Sequence, residues 1–266
     1  MINQNEILKH LKTKDVSISV FDTLDSTNTF LKNLAKQSDI KEKTVVIAKK
    51  QTNGRGRLGR SFFSNAQNGI YLSLLLKPKI SPQNALLITT CAAVSVAEAI
   101  QELFDINLSI KWVNDLYLNN RKIAGILTEA ALSNDANTLN FAVLGVGINL
   151  FQNIKDFPED IIDIAGSLFN ENMPQNADNL IVSAFLDKFF MYYENLENKG
   201  FFNGYKKRLM YINKSVNVIS QNESYEAIVL GIDDNLNLII KTKENKIITL
   251  NSGEVSVKIK WGIKNV

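Results

Sequence analysis

The stretch Gly54-Arg55-Gly56-Arg57-Leu58-Gly59-Arg60 constrains the fold of this chain more than any other. Gly54, Gly56 and Gly59 fit G-x-G-x-x-G, the dinucleotide fingerprint. That fingerprint works only when a helix follows the tight turn at once, so that a pyrophosphate meets its N-terminus. Here Ser61 to Gly69 follows, with no helical periodicity and several breakers. A doubly wound nucleotide-binding fold is thereby excluded, and a Walker A loop is absent because no Gly-Lys-Ser/Thr occurs. What is left is a basic loop: from Lys49 to Arg60 every charged residue is positive. Its glycines let the backbone approach a ligand and expose N–H groups. Arg55, Arg57 and Arg60 can make forked hydrogen bonds to carboxylate or phosphate oxygens. Like charges gathered on one loop are unfavourable without an anion to neutralise them, so the loop reads as an anion-binding device.

The rest of the composition removes other chemistries. A net charge of +3 over 266 residues is too small for a protein whose main business is nucleic acid. One cysteine, Cys91, excludes an intramolecular disulfide, and with one histidine, His10, it leaves a zinc site without ligands. His10 is too close to the terminus to serve a catalytic triad. Cys91 lies among Ala92, Ala93 and Val94 and reads as a packing residue. No apolar run approaches the roughly 18–20 residues of a membrane span, and Met1 to Thr13 lacks the apolar core of a secretory signal. The chain therefore reads as cytoplasmic.

Capping residues Asp25-Ser26-Thr27-Asn28 precede apolar positions at helical spacing, which predicts a helix. Thr44 to Ala48 and Ile70 to Leu76 read as strands. Ser81-Pro82 opens a long apolar helix running to about Phe104. Strands follow at Leu108–Val113, Leu116–Leu118, Ile123–Leu132 and Phe141–Leu150, with Asn119-Asn120-Arg121 as a hairpin turn. Gly145 and Gly147 interrupt the last of these strands, as at a bulge or a close backbone approach. Asp178 is placed as the cap of a helix ending near Gly200. Beyond Met210 short strands alternate with Asn, Asp, Gly and Lys turns, which predicts a small antiparallel barrel or sandwich. The reading is α+β: a larger part, 1–210, with a mixed sheet flanked by helices, and a small all-β part, 211–266.

Two further segments carry polar groups at strand ends. One is Lys111-Trp112-Val113-Asn114-Asp115, leading through the hairpin to Arg121-Lys122-Ile123-Ala124-Gly125-Ile126-Leu127-Thr128-Glu129; the other is Gly145-Val146-Gly147-Ile148-Asn149. Alone, each reads as an ordinary turn or bulge. In this order, after Ser26-Thr27-Asn28 and Gln51 with Gly54 to Arg60, they resemble the biotin–protein ligases. The resemblance covers nearly the whole chain and includes Gly253-Glu254-Val255 near the end. The family usually has Arg at Leu58, Trp at Phe62, and Pro at Asn65 and Val113; none of these departures removes a charge the chemistry needs unless Leu58 matters for the acceptor. The motifs begin at Ser26, which reads as the short class without an N-terminal DNA-binding domain.

The resemblance implies ATP-dependent formation of biotinyl-AMP and transfer of biotin to a lysine of a biotin carboxyl carrier protein, that of acetyl-CoA carboxylase. It implies ATP with Mg²⁺ carried on its phosphates, biotin as substrate, no DNA or membrane partner, and a monomer or homodimer. It places a class II synthetase-like mixed sheet in the larger part and an SH3-like barrel at the C-terminus. By the same resemblance Ser26, Thr27 and Gln51 hydrogen-bond the ureido head of biotin, the backbone at Arg55, Gly56 and Arg57 lines the ligand, and Asn28 and Gly125 belong to the same biotin site. Lys122 holds the carboxylate; Phe62, Asn114 and Asn149 contact the adenylate; Arg60 meets the ATP phosphates. Lys122, Asp115 and Arg57 form the catalytic set, with Asp115 orienting and deprotonating the acceptor lysine. A lipoate–protein ligase lacks support because no Arg-Arg-x-Ser-Gly-Gly-Gly occurs. A non-catalytic nucleic-acid-binding module is the alternative from another class.

Overall fold

The computed structural model describes residues 1–64, 68–219, 224–251 and 256–259, the last four in backbone only. Gly253-Glu254-Val255 and Asn65 lie outside the described residues. A seven-stranded sheet is built from β1 (Ser17–Leu24), β2 (Thr44–Gln51), β3 (Gly69–Leu76), β4 (Ser109–Lys111), β5 (Asp115–Leu118), β6 (Arg121–Leu132) and β7 (Leu139–Asn149). Its order is β1-β2-β3-β7-β6-β5-β4. Only β1 and β2 run parallel; the other ladders are antiparallel, so the sheet is mixed. Asn119 and Asn120 have φ of 48° and 64°, the positive values the β5–β6 turn requires.

Helices cover both faces. α1 (Gln4–His10) precedes β1, and α2 (Thr27–Gln37) follows it. Ser26 caps α2 as predicted, its hydroxyl accepting from the Thr29 N–H at 3.4 Å. α2 packs Leu31 against Val46, Leu75, Phe141 and Val143 on one face of the sheet. On the other face lie α3 (Ala85–Phe104) and α4 (Ala177–Tyr193), which share the main core with Ile47, Leu72, Leu144 and Val146. The chain does contain a segment with the length and apolarity of a membrane span, Pro82–Phe104, contrary to the sequence reading. Thirteen of the twenty residues of α3 are buried in protein, Cys91 among them, so its apolarity reflects a core position.

α4 also departs from expectation. Its cap is Asn176, and Asp178 lies in the first turn, where a carboxylate opposes the positive end of the helix dipole. The helix stops at Tyr193 and a short 3₁₀ turn, Leu196–Asn198, follows. The sequence reading passed over α1, β1 and α5 (Phe202–Arg208).

Beyond α5 the chain forms a second, wholly antiparallel sheet: β8 (Ser215–Ile219), β9 (Ser224–Ile232), β10 (Leu238–Thr242), β11 (Ile247–Leu250) and β12 (Ser256–Ile259), in the order β11-β10-β9-β8-β12. It is joined to the large sheet along β4. Met210 donates its N–H to Ile110 O at 2.8 Å. The Trp112 indole Nε1–H donates to Leu236 O at 2.9 Å, and the buried Tyr205 hydroxyl donates to Val113 O at 3.1 Å. Val216, Val229, Leu238 and Ile240 continue the same apolar core.

Trp112→Phe deletes the donor to Leu236 O and leaves a buried carbonyl unpaired. The expected loss of stability is about 1–3 kcal/mol, read as a lower urea midpoint at unchanged slope. An unchanged midpoint would show that the indole bond does not tie the two sheets together.

Candidate active site

β6 and β7 pair Gly125 directly with Gly147. Neither residue has a Cβ, so the sheet face toward α2 is bare there. Phe62, from the end of the Gly/Arg loop, lays its ring on this gap. A Cβ on Gly147 would stand 2.6 Å from the ring, and one on Gly125 3.2 Å. Two residues along, a Cβ on Gly145 would collide with the Asn28 amide. The glycines in the β7 pattern thus mark a close approach of neighbouring groups, not a bulge, since the β3–β7 and β6–β7 registers run unbroken through them. Over this floor a cavity opens between the α2 N-terminus, the Gly/Arg loop and the ends of β5 and β6.

The Gly/Arg loop is folded back on itself. Gly56 N–H donates to Arg60 O at 2.7 Å and Phe62 N–H to Gly54 O at 2.9 Å. Leu58 takes left-handed backbone, φ 55°, and its largely exposed side chain borders the cavity. Gly54 is required sterically, because a Cβ there would meet the Ser64 hydroxyl and Phe62 O.

One end of the cavity is a chain of buried neutral polar groups. Gln51 Oε1 accepts from the Thr27 N–H at 2.8 Å and lies 3.1 Å from the Thr27 hydroxyl. Ser73, fully buried on β3, places its hydroxyl 2.8 Å from Thr27 Oγ1 and 2.5 Å from Asn28 Oδ1. Asn28 Nδ2 donates to Glu129 at 3.2 Å. Burial alone would raise the Glu129 pKa. Donation from Lys32 and Asn28 and the charges of Arg55 and Lys32 outweigh it, and hold the carboxyl below its ordinary range.

The other end is charged. Lys122 Nζ lies 2.7 Å from Asp115 Oδ1, an ion pair by distance without the alignment of a hydrogen bond. Asn114 is a strut: its Nδ2 donates to Ile126 O at 2.9 Å, its Oδ1 accepts from Arg57 at 3.0 Å, and its carbonyl accepts from the Ile126 N–H at 3.0 Å. Burial works against the Arg57 charge; Asp115 and Tyr205 counter it, while Arg60 adds to it.

Ser26, Thr27, Asn28, Gln51, Arg55, Gly56, Arg57, Arg60, Phe62, Asn114, Asp115, Lys122 and Gly125 all line this one cavity. Asn149 does not. It follows Gly145 and Gly147 on the same face of β7, donates Nδ2 to Gly166 O at 3.0 Å, and keeps a buried Oδ1 with no hydrogen-bond partner among the described residues. A lone acceptor beyond Phe62 fits a ligand that extends past the ring. Arg55 lines the cavity while its guanidinium stands 3.1 Å from Glu129. Sequence reasoning missed Ser73 and gave no role to Glu129, the last residue of the second segment; both reach the site through strand register. Among the described residues no three His, Cys, Asp or Glu gather to hold a metal. Among the described residues Asp115 is the one carboxylate lining the cavity. That donor set fits Mg²⁺, which keeps most of its shell as water and substrate phosphate and takes only one or two protein carboxylates.

Residues 20–149 match the model of the biotin/lipoate A/B protein ligase family, and residues 211–258 that of the biotin protein ligase C terminal domain. The chain is 33% identical over 249 residues to the bifunctional ligase/repressor BirA of Bacillus subtilis, spanning 91% of this chain and 75% of that one. It is 33% identical over 166 residues to the biotin–[acetyl-CoA-carboxylase] ligase of Mycobacterium tuberculosis, 60% of this chain and 58% of that one. The structure of the biotin protein ligase from Aquifex aeolicus in complex with biotin and ATP superposes with a TM-score of 0.73 at 26% identity, covering 92% of this chain and 99% of that one. The glycine-floored cavity with its polar and cationic ends thus sits in a fold, and in a sequence, of one kind: the chain belongs to the biotin protein ligase family.

Proposed function

We propose that this chain activates biotin with ATP and transfers it to a lysine of a biotin carboxyl carrier protein. The observation that carries this reading is the cavity itself. A neutral hydrogen-bonding end suits a cyclic urea, and a cationic end suits a carboxylate meeting phosphates, both over a floor cleared by Gly125 and Gly147. We divide the chain near Met210 into a catalytic part, 1–210, and a small β part, 211–266.

A carboxylate does not acylate an amine at neutral pH without a leaving group. In the first half-reaction a biotin carboxylate oxygen attacks the α-phosphorus of ATP and pyrophosphate departs. Negative charge accumulates on crowded oxygens, and fixed cations stabilise it more than water does. Lys122 is placed for this. Its ammonium has three donors and meets Asp115 as an ion pair without an aligned hydrogen bond, so it can hold the incoming carboxylate while keeping that pair. Arg57, braced by Asn114, and Arg60 supply further charge. Mg²⁺ carried on the phosphates would neutralise the triphosphate. Phe62 and the lone Asn149 acceptor form the nucleoside end. In the second half-reaction the acceptor amine attacks the acyl carbon and AMP leaves. The acceptor ammonium, with a pKa of about 10.4, must lose a proton first, and Asp115 is the carboxylate in the cavity that can take it.

The direct test is mass spectrometry of the protein with biotin and Mg-ATP. Bound biotinyl-AMP is expected, and lipoate in place of biotin is expected to give no adenylate. Adenylation of lipoate alone would overturn the assignment.

Lys122→Ala removes the cation and also leaves the Asp115 charge uncompensated beside anionic reactants. Biotin-dependent pyrophosphate release is expected to slow by about 10²-fold or more, the scale of a lost electrostatic donor. Near-normal release would sink the assigned role.

Asp115→Asn separates the half-reactions. Adenylation joins two anions and does not need the carboxylate, so biotinyl-AMP still forms. Transfer from preformed adenylate is expected to slow by roughly 10²–10⁴-fold, the range of general-base catalysis. Followed from about pH 7 to 10 in single turnovers, the deficit shrinks as the free amine appears. A variant slow in adenylation and normal in transfer would place Asp115 with the nucleotide or metal.

A further inference from the structure

Glu129 lies on β6, on the same face as Gly125 and Leu127, but behind the cavity wall. Its side chain is 14% exposed and gathers three donors: Lys32 Nζ at 2.8 Å, Asn28 Nδ2 at 3.2 Å and the Arg55 guanidinium at 3.1 Å. A solvated surface ion pair would need none of the buried partners. Here Asn28 is 4% exposed, and the residue behind it, Ser73, is fully buried.

The carboxylate settles which way the buried hydrogen bonds run. An anion at Nδ2 fixes the Asn28 amide, because a flip would set its oxygen against the carboxylate. Asn28 Oδ1 then faces Ser73, and the Ser73 proton goes to it at 2.5 Å. Ser73 has no second proton, so toward Thr27 it can only accept, at 2.8 Å. The Thr27 proton is drawn inward, to Ser73 or to Gln51 Oε1, and Thr27 presents lone pairs to the cavity. Gln51 Oε1 is held by the Thr27 N–H, which turns Nε2 away as a donor. The result is an ordered set of acceptor and donor matched to the N–H and C=O of a cyclic urea. The Arg55 contact separately ties the Gly/Arg loop to β6 at that same end.

We propose that Glu129 is a positioning residue for the biotin head subsite: through Asn28 and Ser73 it fixes the proton order at Thr27, and through Arg55 it holds the loop over that end. The proposal rests on the reading that biotin binds with its ureido group at Thr27 and Gln51.

The test uses the full chain carrying Glu129→Gln, which keeps the shape and removes the charge. Biotin KM, and biotin Kd measured without ATP, are expected to rise by about tenfold or more, the scale of losing a charged hydrogen-bond partner. The kcat at saturating biotin and the KM for ATP are expected to stay within about threefold, because Lys122, Asp115 and Arg57 are untouched. Ser73→Ala is the second variant. It cuts the chain between Asn28 and Thr27 and leaves both ion pairs of Glu129 in place, so a rise in biotin KM without a change in kcat supports the proposal even where Glu129→Gln fails to fold. Wild-type biotin affinity in a folded Glu129→Gln, or in Ser73→Ala when the other variant does not fold, overturns it. So does a fall in kcat at unchanged biotin KM. Failure of the wild-type protein to bind biotin at all is a different result and removes the reading of the cavity instead.

Discussion

A β-sheet ordinarily fills the space above it with its own side chains, but not where β6 and β7 pair Gly125 with Gly147. The absence of two Cβ atoms at that spot is the constraint on which the site depends. It lets Phe62 rest on backbone, and Gly145 makes the same room for Asn28 at the start of α2. An alanine at 147 has no soft neighbour to displace, since its methyl would meet a ring already lying against the strand. The cavity is therefore a property of the sheet, and the loop and helix above it only furnish its walls.

The walls are uneven in charge. Arg55, Arg57, Arg60, Lys111 and Lys122 line the cavity against one carboxylate, Asp115. Such an excess next to low-dielectric walls attracts anions and repels cations, which suits a site that must bring a carboxylate to a triphosphate. Two acids temper it in different ways. Asp115 pairs with Lys122 inside the cavity, where an arriving ligand shares the ammonium. Glu129 pairs with Lys32 and Arg55 outside the cavity lining. Placing one counter-charge inside and one outside gives the reacting end an exchangeable partner and the recognition end a fixed one.

Much of this was legible in the chain. The all-positive run from Lys49 to Arg60, the Ser26 cap and the Asn119-Asn120 turn each depend on local chemistry, and each is found where the residues put it. What escaped depends on contacts distant in sequence. α1 and α5 are seven residues each, too short to be stable alone; α1 holds because Ile7 is buried and Ser183 of α4 bonds its carbonyl. β1 alternates poorly because it is an edge strand, and only its parallel pairing with β2 makes it a strand. Ser73 and Glu129 belong to the site through register, which sets Ser73 opposite Gly145 and Glu129 opposite Val143. No local pattern encodes that. The misplaced end of α4 has the same origin, since the apolar positions past Tyr193 pack from a 3₁₀ turn and not from a continued helix.

The small C-terminal sheet is linked to the site by one short piece of chain. Trp112 and Val113 immediately precede Asn114 and Asp115, and both are held from below: the indole by Leu236 O in the small sheet, the Val113 carbonyl by Tyr205 at the end of the larger part. Asn114 transmits that position in two directions, to β6 through Ile126 and to the Gly/Arg loop through Arg57. A displacement of the small sheet thus has a defined route to the loop: Leu236, Trp112, Asn114, Arg57. Each link is a hydrogen bond of 3.0 Å or less or a peptide unit, and the intervening residues Trp112 and Val113 are buried. The C-terminal sheet is therefore no appendage. It fixes the strand end that carries Asp115 and braces Arg57 of the Gly/Arg loop, which gives a physical reason for the two sheets to occur in one chain.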